Sequence, residues 1–77
     1  MSDPISVTVS FTPTRVVPVM LFYKNKTIKV ARVNLVHHER HGRDKVYFFS
    51  VSDAANMYRL RFSTETLAWT LEEVVEL

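Results

Sequence analysis

Along residues 5–11, ISVTVSF, the apolar Ile5, Val7, Val9 and Phe11 alternate with Ser6, Thr8 and Ser10. Period two with dense β-branching predicts a half-buried strand, because successive side chains of a strand leave opposite faces. TPTR breaks the pattern and VVPVMLFY follows. Pro18 has no N–H to give to a ladder, so this second strand is expected to start late or to lie at a sheet edge. Within KNKT, Asn25-Lys26 reads as a two-residue hairpin loop, since Asn tolerates the positive φ that such turns need. TIKVARVNLVH is apolar at Ile28 and Val30, then at Val33 and Leu35. That slip of phase predicts a β-bulge at Ala31-Arg32, where one extra residue would enter the strand.

The second half predicts a three-stranded meander. Pairing VYFFSVS with MYRLRFS across DAAN sets Tyr47 opposite Phe62, Phe49 opposite Leu60 and Val51 opposite Tyr58. A turn at Thr64-Glu65 then sets Phe62 against Leu67, Leu60 against Trp69 and Tyr58 against Leu71. Both turns put these residues on one face, and a slip of one residue would send the set to water. The other face receives Val46, Phe48, Ser50, Arg59, Arg61, Ala68 and Thr70. Leu67, Leu71, Val74 and Val75 also fit helical spacing, with Thr70 and Glu73 as a capping box. Against that, Glu72, Glu73 and Glu76 would crowd the helix C-terminus, where the macrodipole disfavours anions. The expected fold is all-β: an antiparallel meander of five or six strands in a small open sheet or SH3-like half-barrel. The alternative is α+β with a C-terminal helix.

Composition narrows the function. At 77 residues the chain is read as one domain, 1–77, with 47% hydrophobic residues and no cysteine. Disulfides, thiol nucleophiles and Cys-ligated zinc are thereby excluded, and a cytoplasmic setting is expected. The N-terminus alternates rather than presenting a basic and then an apolar region, so no signal peptide is read, and no apolar run approaches the roughly 20 residues of a membrane helix. Net charge is +2 but unevenly placed. Residues 15–45 carry eight Lys/Arg against Glu39 and Asp44, whereas 46–77 carry Arg59 and Arg61 against five acids. A basic half of this kind suits nucleic acid or an acidic protein surface.

The segments FYKNKTIKVARV, KVYFFSV, MYRLRFS and LAWTLEEV resemble a small bacterial domain family of unknown function, over about residues 18–75. Phe22, Ile28, Val30 and Val33 match its first strands, Tyr47 to Val51 and Tyr58 to Phe62 its middle, and Trp69, Leu71 and Val74 its close. The chain departs from the family where KNKT lacks the loop glycine, and where His37-His38 replaces an aromatic. Some members are appended to proteins similar to translesion (Y-family) DNA polymerases, which implies a link to DNA repair. No catalytic residue comes with the resemblance.

HHERHGRDK, residues 37–45, holds all three histidines and the only glycine. His37, His38 and His41 are candidate imidazole ligands for zinc, nickel or copper. His-Glu-x-x-His is one residue short here, however, and Arg40, Arg43 and Lys45 repel a cation. The stretch is read instead as a polar strand-to-strand connection. One glycine is too few for a phosphate-binding loop. Ser50, His37 and Asp53 supply triad residue types that no spacing brings together, so no catalytic residues and no cofactor are assigned. The expected function is a non-enzymatic binding module. Protein contact or self-association into a homo-oligomer comes first, through open sheet edges and outward Phe48 and Phe22. The alternative is nucleic acid, held by Phe48, Arg59 and Arg61 and by a footprint of Lys24, Lys26, Lys29, Arg32, Arg40, Arg43 and Lys45.

Overall fold

A computed structural model describes residues 3–77. They form seven strands: β1 (Asp3–Phe11), β2 (Val16–Tyr23), β3 (Lys26–Lys29), β4 (Arg32–His41), β5 (Asp44–Ser52), β6 (Asn56–Ser63) and β7 (Trp69–Glu76). All pairs are antiparallel in one open sheet of order β3-β2-β1-β7-β6-β5-β4. The C-terminal segment is a strand, so the helical alternative is set aside. The acids that would have crowded a helix end lie along β7 instead.

The count exceeds five or six because TIKVARVNLVH divides. β3 pairs with β2 and β4 with β5, at opposite ends of the sheet order, yet only Val30 and Ala31 separate them in the chain. This short link therefore curls the sheet. Val30 N–H donates to Val19 O (3.0 Å) and Ala31 N–H to Ser52 O (2.9 Å), tying β2 to β5 across the seam. The phase slip expected to be a bulge at Ala31-Arg32 is this change of neighbour. A bulge does follow, between Val33 and Leu35, where Asn34 is the extra residue and its Nδ2 donates to Ser52 Oγ (3.2 Å).

Two turns also differ in detail. Tyr23 pairs with Lys26, so the β2–β3 loop is Lys24-Asn25 rather than Asn25-Lys26. Both residues are left-handed, at φ 50° and 62°, as a tight primed turn requires. The β6–β7 loop is longer than Thr64-Glu65. Leu67 N–H donates to Ser63 O (2.8 Å), Ser63 N–H to Ala68 O (3.1 Å), and Leu67 turns outward at φ 61°. Phe62 therefore faces Trp69, and Leu60 faces Leu71, two residues on from the expected register. A shift of two preserves side-chain parity, so the buried face survives the error. A second bulge, at Glu72, sets Tyr58 against Val74. Pro18 sits inside β2, not at its start. It falls where the β1–β2 register shifts between Thr8 and Val9, and where β3 no longer flanks β2.

The β5–β6 register is as expected: Tyr47 with Phe62, Phe49 with Leu60, Val51 with Tyr58. The core gathers Leu21, Phe49, Val51, Tyr58, Leu60 and Leu71 on the concave face. Trp69 covers its edge, stacked on Phe62 (4.6 Å, 25°) and tilted against Phe49 (5.4 Å). Each fully buried aliphatic or aromatic side chain stabilises the fold by about 1.5–3 kcal/mol. Val46, assigned to the outward face, is fully buried there: Thr64 N–H and Oγ–H both donate to Lys45 O (3.1 and 2.7 Å), drawing the long β6–β7 loop back beside it. No helix among the described residues is long and apolar enough to cross a membrane.

Candidate functional site

HHERHGRDK is mostly strand, not connection. Only Gly42 and Arg43 form the turn, with Gly42 at φ 63° and nothing within 4 Å of where a Cβ would sit. The glycine is required by backbone angle, not by space. The turn leads by two-residue hairpin geometry to a property of β4. His41 and Asp44 close the loop and exchange both backbone bonds. Stepping back by twos, Glu39 and His37 also turn their backbone groups to β5. Val36, His38 and Arg40 turn theirs the other way, and among the described residues β4 has no strand on that side. The sheet thus ends in a long strand with an open row of donors and acceptors. The opposite edge, β3, has four residues and a lysine at each end.

The same alternation divides the histidines. His37 and His41 share the outward face with Glu39, whose carboxylate lies 3.0 Å (Oε2) from His37 Nε2 and 2.9 Å (Oε1) from His41 Nε2. With the proton on Nε2, each imidazole donates to it. His41 and then His37 hold the Glu39 carboxyl below its ordinary value through these bonds. His38 is on the other face, against the Tyr47 ring (5.7 Å). The three candidate ligands are therefore not brought together. Among the described residues no three His, Cys, Asp or Glu side chains are grouped to hold a metal ion.

Phe48, Arg59 and Arg61 do share one face. Phe48 pairs with Arg61, the Arg59 guanidinium lies 5.8 Å from the Phe48 centroid, and His37 stacks on the same ring (6.1 Å, 28°). Acids stand among them: Glu39 on β4, Glu73 opposite Arg59, and Asp44 at the hairpin end. Asp44 accepts from Ser63 Oγ–H (2.7 Å) and Glu65 N–H (3.2 Å). Its carboxyl is lowered by the Ser63 bond first, then by the Glu65 amide and by the Arg61 and His41 charges.

The other basic candidates separate. Lys24 lies in the β2–β3 turn, its Nζ 5.3 Å from the Tyr23 ring, with Lys26 and Lys29 on β3. Arg40, Arg43 and Lys45 gather at the β4–β5 hairpin end, where Lys45 Nζ lies 5.2 Å from the Tyr47 ring, and Arg32 starts β4. Asp53 locks the β5–β6 turn. Its Oδ1 accepts from the Ala55 and Asn56 amides (both 2.8 Å) and its Oδ2 from Tyr58 O–H (3.2 Å). Those bonds, Asn56 first, lower its carboxyl, while burial is the main cause raising the Tyr58 phenol. Sequence reasoning overlooked the outward backbone of Val36, His38 and Arg40. Gly42, the chain's only glycine, was the available signal, since it marks a tight turn inside the polar stretch.

No family model matches the sequence, and neither a curated protein nor a solved structure is similar to it.

Proposed function

We propose that this chain is a non-enzymatic protein-binding module that accepts an extended segment of a partner along β4. The observation that carries the reading is the outward backbone of Val36, His38 and Arg40 on a ten-residue strand with one neighbour. Such an edge supplies main-chain hydrogen bonds to an incoming strand, and the side chains on either face supply selectivity. Leu35 (62% exposed) and Val36 (49%) add apolar surface to it. The non-catalytic part is supported by how the triad types are used: Asp53 is spent on its own turn, away from Ser50 and His37. The test is capture by tagged protein, wild type against His38→Pro, followed by amide exchange of each complex. Partners lost with His38→Pro, and slowed exchange at Val36, His38 and Arg40 in the wild-type complex, support the reading. The same partners on both proteins refute it. Light scattering of the protein alone distinguishes a second copy from a foreign partner.

A second reading uses the outward face. Phe48 between Arg59 and His37 offers stacking and charge to a single-stranded nucleic acid, and the resemblance to polymerase-appended domains favours the same class. Glu39, Asp44 and Glu73 on that face weigh for the edge instead. Oligonucleotide binding at low salt that weakens in Arg59→Ala and Arg61→Ala supports this second reading, and no low-salt binding removes it.

A further inference from the structure

The curl of the sheet leaves a notch beside the β4 edge. β3 flanks β2 only from Met20 to Tyr23, so among the described residues the stretch Val16 to Val19 has β1 on one side and no strand on the other. β4 departs from the same link, Val30-Ala31, along β5. Between the two lies a cleft of about 340 Å³. Val16, Pro18, Val33 and Val36 give it apolar walls, and Arg15 and Arg32, both exposed, are its charged residues. No acid lines it. Val36 belongs to both features: it borders the cleft and opens the row of outward backbone groups. A segment paired along β4 past Val36 therefore runs into the cleft.

Building on the strand-accepting reading, we infer that the partner is an acidic-apolar extended segment of another protein. An aliphatic side chain of that segment enters the cleft, and a neighbouring carboxylate meets Arg15 and Arg32. Charge complementarity selects this occupant. β4 itself begins and nearly ends on arginines, Arg32 and Arg40, and Lys45 stands opposite Arg40. A second copy would bring a further Arg32 and Arg40 to a cleft whose charged residues are Arg15 and Arg32, whereas glutamate or aspartate on the incoming strand meets those arginines with opposite charge. The valine-lined walls take a β-branched or leucine side chain and reject a bare charge.

The experiment measures fluorescence anisotropy of two labelled heptapeptides with the full chain. One has an isoleucine–valine core flanked by glutamates, and the other has lysines in their place. The proteins are wild type, Arg15→Glu/Arg32→Glu and His38→Pro, each checked for the native circular dichroism spectrum. The glutamate peptide is expected to bind wild type about tenfold tighter than the lysine peptide, and the double variant to reverse that preference. Equal affinity of the two peptides for wild type, or an unchanged preference in the double variant, overturns the inference. Binding of neither peptide does so too. Unchanged affinity in His38→Pro with the charge preference intact refutes strand pairing on β4 while upholding the cleft. Loss of binding there with no charge preference in wild type does the reverse.

Discussion

Proline scanning along β4 tests the direction of its backbone groups, residue by residue. His37 and His38 are adjacent and both exposed, yet the hairpin geometry turns the first toward β5 and the second toward solvent. His37→Pro removes a ladder donor and leaves its acceptor on Phe48 unpaired. The lost bond is worth about 0.5–1.5 kcal/mol, and the orphaned carbonyl brings the total to about 2–3 kcal/mol. His38→Pro removes a donor that no ladder of this chain uses. Its cost is the restriction of φ alone, about 1 kcal/mol or less. The difference of about 2 kcal/mol corresponds to about 8–16 °C in Tm for a domain of this size. The side chains also differ, since His37 touches Glu39 and Phe48 and His38 touches Tyr47. His37→Ala and His38→Ala therefore serve as references, and each proline variant is compared with its alanine partner. Thermal unfolding followed by circular dichroism gives the four values. A larger proline penalty at position 38 would mean that β4 presents the opposite set of backbone groups, and equal penalties that the two positions do not differ in their ladder bonds. The strand-accepting edge would then be wrongly placed.

Leu60→Ala, which truncates a side chain with no exposed surface among Phe49, Tyr58 and Leu71, is expected to cost about 2–5 kcal/mol by urea denaturation. Against about 4–12 kcal/mol for 77 residues, a loss in the upper part of that range leaves a poorly folded protein if the total lies near its lower bound. Thr70→Val should be neutral or stabilising by about 1 kcal/mol, because Thr70 Oγ1 is buried without a hydrogen-bond partner. Gly42→Ala is expected to lose about 1 kcal/mol through its positive φ, with Gly42→Asn losing less. The lowered carboxyls of Asp44, Asp53 and Glu39 set the sign of the acid response. A depressed folded-state value means a contribution fully present above the unfolded carboxyl range, near pH 4, and lost as pH falls through the folded one. The Tm gap between wild type and Asp53→Asn should therefore close as the pH drops below about 4.

What was legible in the sequence follows from parity. Tyr47, Phe49 and Val51 alternate against Tyr58, Leu60 and Phe62 with a short loop between them, and only registers of one parity turn all six toward the core. The β6–β7 register was less determined. Leu67 and Trp69 have the same parity, so either can follow Phe62 into the core, and the choice rests on a loop whose left-handed residue is a leucine. Turn chemistry offers no sign for that. The β4 strand was hidden for a different reason. Exposed on both faces along most of its length, it has no apolar alternation to display, and HHERH reads as a loop because water surrounds it as it would a loop. The cleft was illegible because it depends on which neighbours the chain leaves at Val30-Ala31. A change of partner and an inserted residue both produce the same slip of phase.

The two ends of the sheet show how the edge is managed. At β3 the chain applies the common remedy against unwanted pairing: four residues, with Lys26 and Lys29 at the ends. At β4 it leaves ten residues, without a proline, with Leu35 and Val36 exposed. Arg32 and Arg40 stand near the two ends of β4, with Val36 and His38 between them. Cations placed this way repel by sign rather than by shape. In the proposed binding mode the same arginines favour an incoming strand of the opposite charge, and the valine-lined cleft at the foot of β4 is where that strand would anchor.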